Sequence, residues 1–248
     1  MNGQETLEIT ERPRLTVEEK VLYQWRNDPV LYFEERLGIP PEMLSEDEKT
    51  LLRALPRAIR EIKPLVVPSG HATGKDFTIS GRATLWFYEC FGPCKVIGTG
   101  PTERQVLDIM WAELKTAHAG KIGKDIIGRL ISGKLEASDS HFISVFTTKE
   151  AADQTGKFQG AHAPAEIIVE TEEKAVDDRI KEQIDGITTS GVILQVYLGN
   201  PLHNTGWFAQ MIDDTTRNIV IRLDSMNSPN VIAKRTVTTA RCPREGVQ

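Results

Sequence analysis

The stretch LVVPSGHATGKD, residues 65–76, decides the fold. It opens with a short apolar run, turns through Ser69 and Gly70, and leads into residues 75–90, whose spacing predicts a helix. A strand, a glycine-bearing turn and a helix, in that order, are the setting in which a loop holds phosphate. Glycines let successive backbone N–H groups converge on anionic oxygens, and a helix start favours negative charge. The candidate loop is Ser69, Gly70, His71, Ala72, Thr73, Gly74, Lys75 and Asp76. Lys75 is placed to reach the β and γ phosphates of a nucleotide. Two positions depart from the full pattern. Ser69 stands where a first glycine is expected, and Asp76 where a serine or threonine hydroxyl is expected. A carboxylate also binds Mg²⁺, but it adds negative charge beside the phosphates. The loop therefore predicts nucleotide binding with a strict metal requirement.

Outward from the loop, short apolar runs alternate with helical patterns. CKVIGTG (94–100), HFISVFTT (141–148), EIIVET (166–171), GVILQVYLG (191–199) and NIVIRLDSM (218–226) read as strands. TERQVLDIMWAELKTAHA (102–119) reads as a long amphipathic helix, and residues 172–187 carry a further helix pattern. Upstream, Leu22, Trp25, Val30, Phe33 and Leu37 recur at near-helical spacing, with a break at Pro29 and a stop at Gly38. Ser45 with Glu48 fits a capping box that starts a second helix, whose stripe is Leu51, Leu52, Leu55 and Ile59. Strands that alternate with helices predict an α/β fold with a mainly parallel sheet. Ligands in such sheets sit at the carboxyl ends of the strands. The turns at 69–76, 99–102, 171–174 and 199–206 are thus the places for chemistry.

Composition excludes several classes. The 248 residues are 40% hydrophobic and 26% charged, with a net charge of −5. That balance excludes a disordered, collagen-like or coiled-coil chain. No apolar run approaches the ~18 residues of a membrane helix, and the polar, acidic start MNGQETLEITER does not read as a secretory signal. Cys90 and Cys94 lack further ligands at finger spacing, so with Cys242 they read as reduced thiols rather than a zinc site. Residues 1–50 hold 12 acids and 6 bases, while Arg217, Arg222, Lys234, Arg235, Arg241 and Arg244 face one acid, Asp224. With Lys121, Lys124, Arg129 and Lys134, this stretch offers a basic face for nucleic acid or a solvated surface. The four tryptophans fall in helical apolar patterns and read as packing residues.

The acidic strand end Glu170-Thr171-Glu172-Glu173 is the expected place for metal and water activation. Two registers are open. Either Glu170 is the metal residue, or Thr171 sits there and Glu172 is the catalytic base.

These segments together resemble the ATPase part of large terminase subunits, the DNA-packaging motors of tailed bacteriophages. The resemblance runs from about Asp28 to Val237. It is carried by DPVLYFEERLGI (28–39), SGHATGKD (69–76), GTGPTERQV (98–106), KFQGAHA (157–163), SGVILQVYLGNPLHNTGWF (190–208) and DSMNSPNV (224–231), in that order. Each is modest alone; their order and spacing make the signal. The resemblance implies a P-loop NTPase of the ASCE type, with residues 1–62 a helical N-terminal segment and 63–248 the ATPase domain. It favours the second register, because Val176 and Asp178 then match the family's acidic segment. Glu172 and Lys75 become the catalytic pair, and Asp76 and Thr171 the metal positions, a carboxylate having moved from one to the other. It also implies ATP and Mg²⁺ as cofactors and γ-phosphate sensing by Asn200. Arg104 and Arg129 are the candidate arginine fingers. The implied partners are double-stranded DNA, a homo-oligomeric ring on a portal, and a small terminase subunit. The implied place is the host cytoplasm beside the procapsid, not a membrane. The nuclease domain of the family is expected to be separate or missing, so no nuclease activity is expected. Two other readings stand beside this one: a nucleotide- and DNA-binding assembly module that does not hydrolyse ATP alone, and a helicase-like P-loop ATPase. The FQGAHA and GNP segments argue against the latter.

Overall fold

Strands buried on both faces read as unbroken apolar runs, and such runs form the centre of this chain. The computed structural model describes residues 15–70, 73–119, 125–148, 163–171, 191–201 and 205–234. The described strands are β1 (Leu65–Pro68), β2 (Cys94–Gly100), β3 (Arg129–Ile131), β4 (Lys134–Ser138), β5 (His141–Thr147), β6 (Ala165–Thr171), β7 (Val192–Gly199) and β8 (Ile219–Val220). They make one sheet in the order β3-β4-β5-β2-β6-β7-β1-β8. From β5 to β8 every pairing is parallel. The mixed α/β fold with a mainly parallel sheet is as the sequence pattern predicts.

Two features differ from the sequence reading. Residues 129–138 form an antiparallel hairpin at the sheet edge, where the sequence shows a basic stretch. Gly133, with φ 71°, turns it. The run 218–226 pairs regularly over Ile219–Val220 alone, then loosens at the open edge of the sheet. Ile221 and Leu223 still donate their N–H groups to Val66 and Pro68 of β1, at 3.0 Å each.

The helices cover the sheet unequally. On one face lie α1 (Val17–Asn27), α2 (Pro29–Glu35), α3 (Glu46–Glu61), α4 (Thr84–Cys90) and α5 (Ala112–Ala119). Two wider π-helical stretches, Asp76–Ala83 and Arg104–Trp111, lead into α4 and α5. At the end of the first, the Thr84 N–H bonds back to the Ile79 carbonyl and its hydroxyl donates to the Ser80 carbonyl at 2.9 Å. Leu51, Leu52 and Leu55 of α3, Tyr32 and Phe33 of α2, and Trp86 of α4 are fully buried in one core with Leu65, Val67, Val169 and Leu198 of the strands. Burying each such side chain contributes ~1.5–3 kcal/mol. The opposite face of β1 and β7 is covered by α6 (Trp207–Asp213), where Val66, Tyr197 and Ile212 pack. A short α7 (Pro229–Ala233) follows β8. Buried links strap α1 and α2 onto α4: Arg36 pairs with Glu89 at 2.8 Å, and the Trp86 indole donates to the Trp25 carbonyl at 2.7 Å. Cys90 and Cys94 are free and buried. Among the described residues, no helix is long and apolar enough to cross a membrane.

Candidate nucleotide site

The loop after β1 lies at the carboxyl end of a parallel strand, between β7 and the edge strand β8. Its first residue is stitched to β7, since the Ser69 N–H donates to the Gly199 carbonyl at 2.8 Å. Asn200, partly buried, follows Gly199 directly, so the loop and the GNP turn share one joint. Ser69 also bridges Leu223 beyond β8. Thr73 donates its hydroxyl to the Gly70 carbonyl at 3.4 Å. Gly74 has φ 87°, which a side chain would strain, and its carbonyl accepts from Thr78 N–H at 2.8 Å to start the helix.

Lys75 is 7% exposed, and among the described residues its ammonium has no ion pair and no hydrogen bond. Asp76 is partly exposed, with the Ser80 hydroxyl donating to it at 3.4 Å. Of the sequence-predicted site, Ser69, Gly70, Thr73, Gly74, Lys75 and Asp76 are brought together. His71, Ala72 and Glu172 lie outside the described residues.

One strand, β7, lies between the loop strand β1 and the acidic strand β6. Pairing places Thr171 beside Leu198, and Leu198 beside Val67, while Glu170 lies in the row of Tyr197 and Val66. Val67 and Leu198 face the core beneath the loop helix, whereas Val66 and Tyr197 face α6. Thr171 therefore lies on the helix side and Glu170 on the other. The Thr171 hydroxyl is turned to the Thr99 carbonyl at 3.5 Å and the Met110 sulfur at 3.8 Å. Glu170 is 1% exposed, and among the described residues neither carboxyl oxygen has a hydrogen-bond partner. Burial pushes its pKa up to about 8.

Mg²⁺ keeps several waters and takes one or two carboxylates besides the phosphates. Asp76, partly exposed at the start of the loop helix, fits that role. Glu170, buried on the far face, fits it poorly. Among the described residues, no cluster of three or more His, Cys, Asp or Glu could hold a metal without such phosphates.

Arg104 and Arg129 are exposed. Gln105 is occupied at a helix start, accepting from the Thr102 hydroxyl at 2.8 Å. Sequence reasoning missed a further contact: Thr78 on the loop helix donates its hydroxyl to buried Glu48 at 2.5 Å. The capping box had already accounted for Glu48, so no signal pointed across the 30 residues between them.

Neither the family models nor the curated protein sequences match the chain. Solved structures do. The large terminase of bacteriophage HK97 aligns with TM-score 0.59 at 14% identity, over 80% of this chain and 43% of that one. The large terminase of a thermophilic bacteriophage, in complex with ADP, aligns at 0.55 and 14%, over 82% and 53%. A mutant form of the ATPase domain of the Thermus phage P74-26 large terminase aligns at 0.51 and 12%, over 79% and 86%. The chain thus spans about half the length of the two larger terminases and most of the isolated domain. It has the fold of the ATPase domain of phage large terminases.

Proposed function

We propose that this chain is the ATP-hydrolysing motor domain of a viral DNA-packaging terminase, moving double-stranded DNA into a procapsid. The observation that carries the reading is Lys75. Its side chain is largely buried and, among the described residues, its ammonium has no anionic partner. It lies where backbone N–H groups and a helix start both favour an anion. A nucleotide triphosphate resolves that imbalance, and the large terminase of the thermophilic bacteriophage is solved with ADP and with ATP-gamma-S.

The proposed roles are these. Lys75 and the loop N–H groups hold the β and γ phosphates. Asp76 would be the protein carboxylate for a Mg²⁺ beside them, which would supply neutralisation of developing charge. Glu172 orients the attacking water. Asn200 senses the γ-phosphate, and the Ser69–Gly199 hydrogen bond passes its loss to the GNP turn. DNA is held by phosphate contacts from exposed bases such as Arg217, Arg222 and Lys234, so binding falls steeply with salt. A homo-oligomeric ring on a portal and a small terminase subunit complete the machine in the host cytoplasm.

The test is steady-state ATP hydrolysis with Mg²⁺, with and without duplex DNA, for the native chain and Lys75→Ala. Hydrolysis that vanishes in the variant supports the motor. The Thr171 hydroxyl, occupied within the sheet, favours a second reading in which the chain binds nucleotide and DNA but does not hydrolyse ATP alone. Lys75-dependent binding without turnover would support it.

A further inference from the structure

The candidate loop is gripped from outside at both ends, and both grips come from the first turn of α3. Glu48 is fully buried. Its Oε2 accepts from the N–H and the hydroxyl of Ser45, at 2.9 Å each, which closes the capping box. Its Oε1 accepts from the Thr78 hydroxyl at 2.5 Å, two residues beyond Asp76. The neighbouring Asp47 accepts from the Asp224 N–H and the Asn227 side-chain amide, at 3.0 Å each. Leu223, just before Asp224, donates to Pro68 and bridges Ser69 at the other end of the loop. A closed circuit thus runs from Ser69 through Leu223 and Asp224 to Asp47 and Glu48, then to Thr78 and back along the loop.

A capping carboxylate does its work at the surface and gains nothing from burial. Burying it is costly unless donors surround it, and here one donor comes from the loop helix. The local helix signal explains the Ser45 contacts. It does not explain why Glu48 is aimed across at Thr78.

We propose that Glu48 is a positioning residue for the nucleotide site. Through Thr78 it holds the first turn of the loop helix so that Lys75 and the loop N–H groups are already arranged for phosphate. This rests on the reading of residues 69–76 as a nucleotide loop. Losing such preorganisation raises the ordering cost of binding.

The test measures affinity for a fluorescent ATP analogue with Mg²⁺, KM and kcat for ATP, and Tm. The variants are Thr78→Val, Thr78→Ser, Ser45→Ala and Lys75→Ala. Thr78→Val keeps shape and removes the donor, so binding weakens by about tenfold, the size of a lost charge-assisted hydrogen bond. The loss appears in KM more than in kcat, and Thr78→Ser restores it. Ser45→Ala opens the cap but leaves the Thr78 contact, so it lowers Tm without weakening binding. Native-like affinity in Thr78→Val overturns the proposal, as does an equal loss in Ser45→Ala. Native-like affinity in Lys75→Ala overturns the nucleotide reading beneath it.

Discussion

Glu170 gives a prediction that needs no nucleotide. It is 1% exposed, its carboxyl has no hydrogen-bond partner among the described residues, and burial pushes its pKa from 4.5 to about 8. A raised folded-state pKa means that the folded chain keeps a proton that the unfolded chain has released. Its stabilising contribution is complete below about pH 4.5 and drains away as pH rises towards 8. Each pH unit in that window removes ~1.4 kcal/mol, so from pH 5 to pH 8 the loss is about 4 kcal/mol. That is a large share of the ~5–15 kcal/mol that holds a typical domain. His118 and His141 act in the opposite sense. Burial lowers both, so they weaken the fold as pH falls and mask part of the trend. The comparison therefore uses Glu170→Gln, a neutral isostere that keeps both histidines. Urea unfolding in EDTA, from pH 5 to pH 8.5, should show the variant gaining on the native chain as pH rises. The gain should be about 4 kcal/mol, or roughly 8–15 °C in Tm for a chain of this size, and should level off above pH 8. A gap that stays constant with pH would refute the argument, because Glu170 would then be ionised or solvated in the folded state.

Other contacts make further predictions. A methyl group at Gly100 would sit 2.7 Å from the Thr171 hydroxyl, so Gly100→Ala should cost about 1–3 kcal/mol in urea unfolding. Adding Thr171→Ala should recover most of that, and a strictly additive pair would place the clash elsewhere. Asp76→Thr alone should abolish Mg²⁺-dependent turnover, and Asp76→Thr with Thr171→Asp should retain it; a dead double variant, or ATP binding unaffected by EDTA, would count against the shared metal position. Burial pushes the Cys90 thiol up and the Cys94 thiol up to about 12. Iodoacetamide at pH 8 should therefore leave both unmodified in the folded chain and label both in urea, as peptide masses would show.

Burial on both faces is what made most of the sheet readable. β2, β6 and most of β7 are buried throughout, and so they appear as the predominantly apolar runs CKVIGTG, EIIVET and GVILQVYLG. The hairpin at β3–β4 was not readable for the opposite reason. Arg129, Leu130 and Ile131 are all exposed at the sheet edge, so no burial pattern marks them. The signal that was present is smaller: a Ser132-Gly133 turn between two short apolar stretches. The cap at Ser45 was legible because its partners are three residues apart. The bond from Thr78 to Glu48 was not, because it depends on how two helices pack.

The acidic strand shows where sequence pattern and packing answer different questions. Apolar residues precede Glu170 and invite it as the metal residue; the match further along the chain points to Thr171. These readings differ by one residue, and along a strand one residue is a change of face. Pairing with β7 and β1 puts Thr171 over the core that the loop helix covers and Glu170 against the side of α6. The loop helix lies on the Thr171 side. On that side the strand offers a hydroxyl already turned to Thr99, and the helix offers the carboxylate of Asp76. The two departures from the usual loop and strand patterns thus fall on one face of the sheet. An exchange of ligand between strand and helix requires that placement, and the paired substitution of Asp76 and Thr171 tests it.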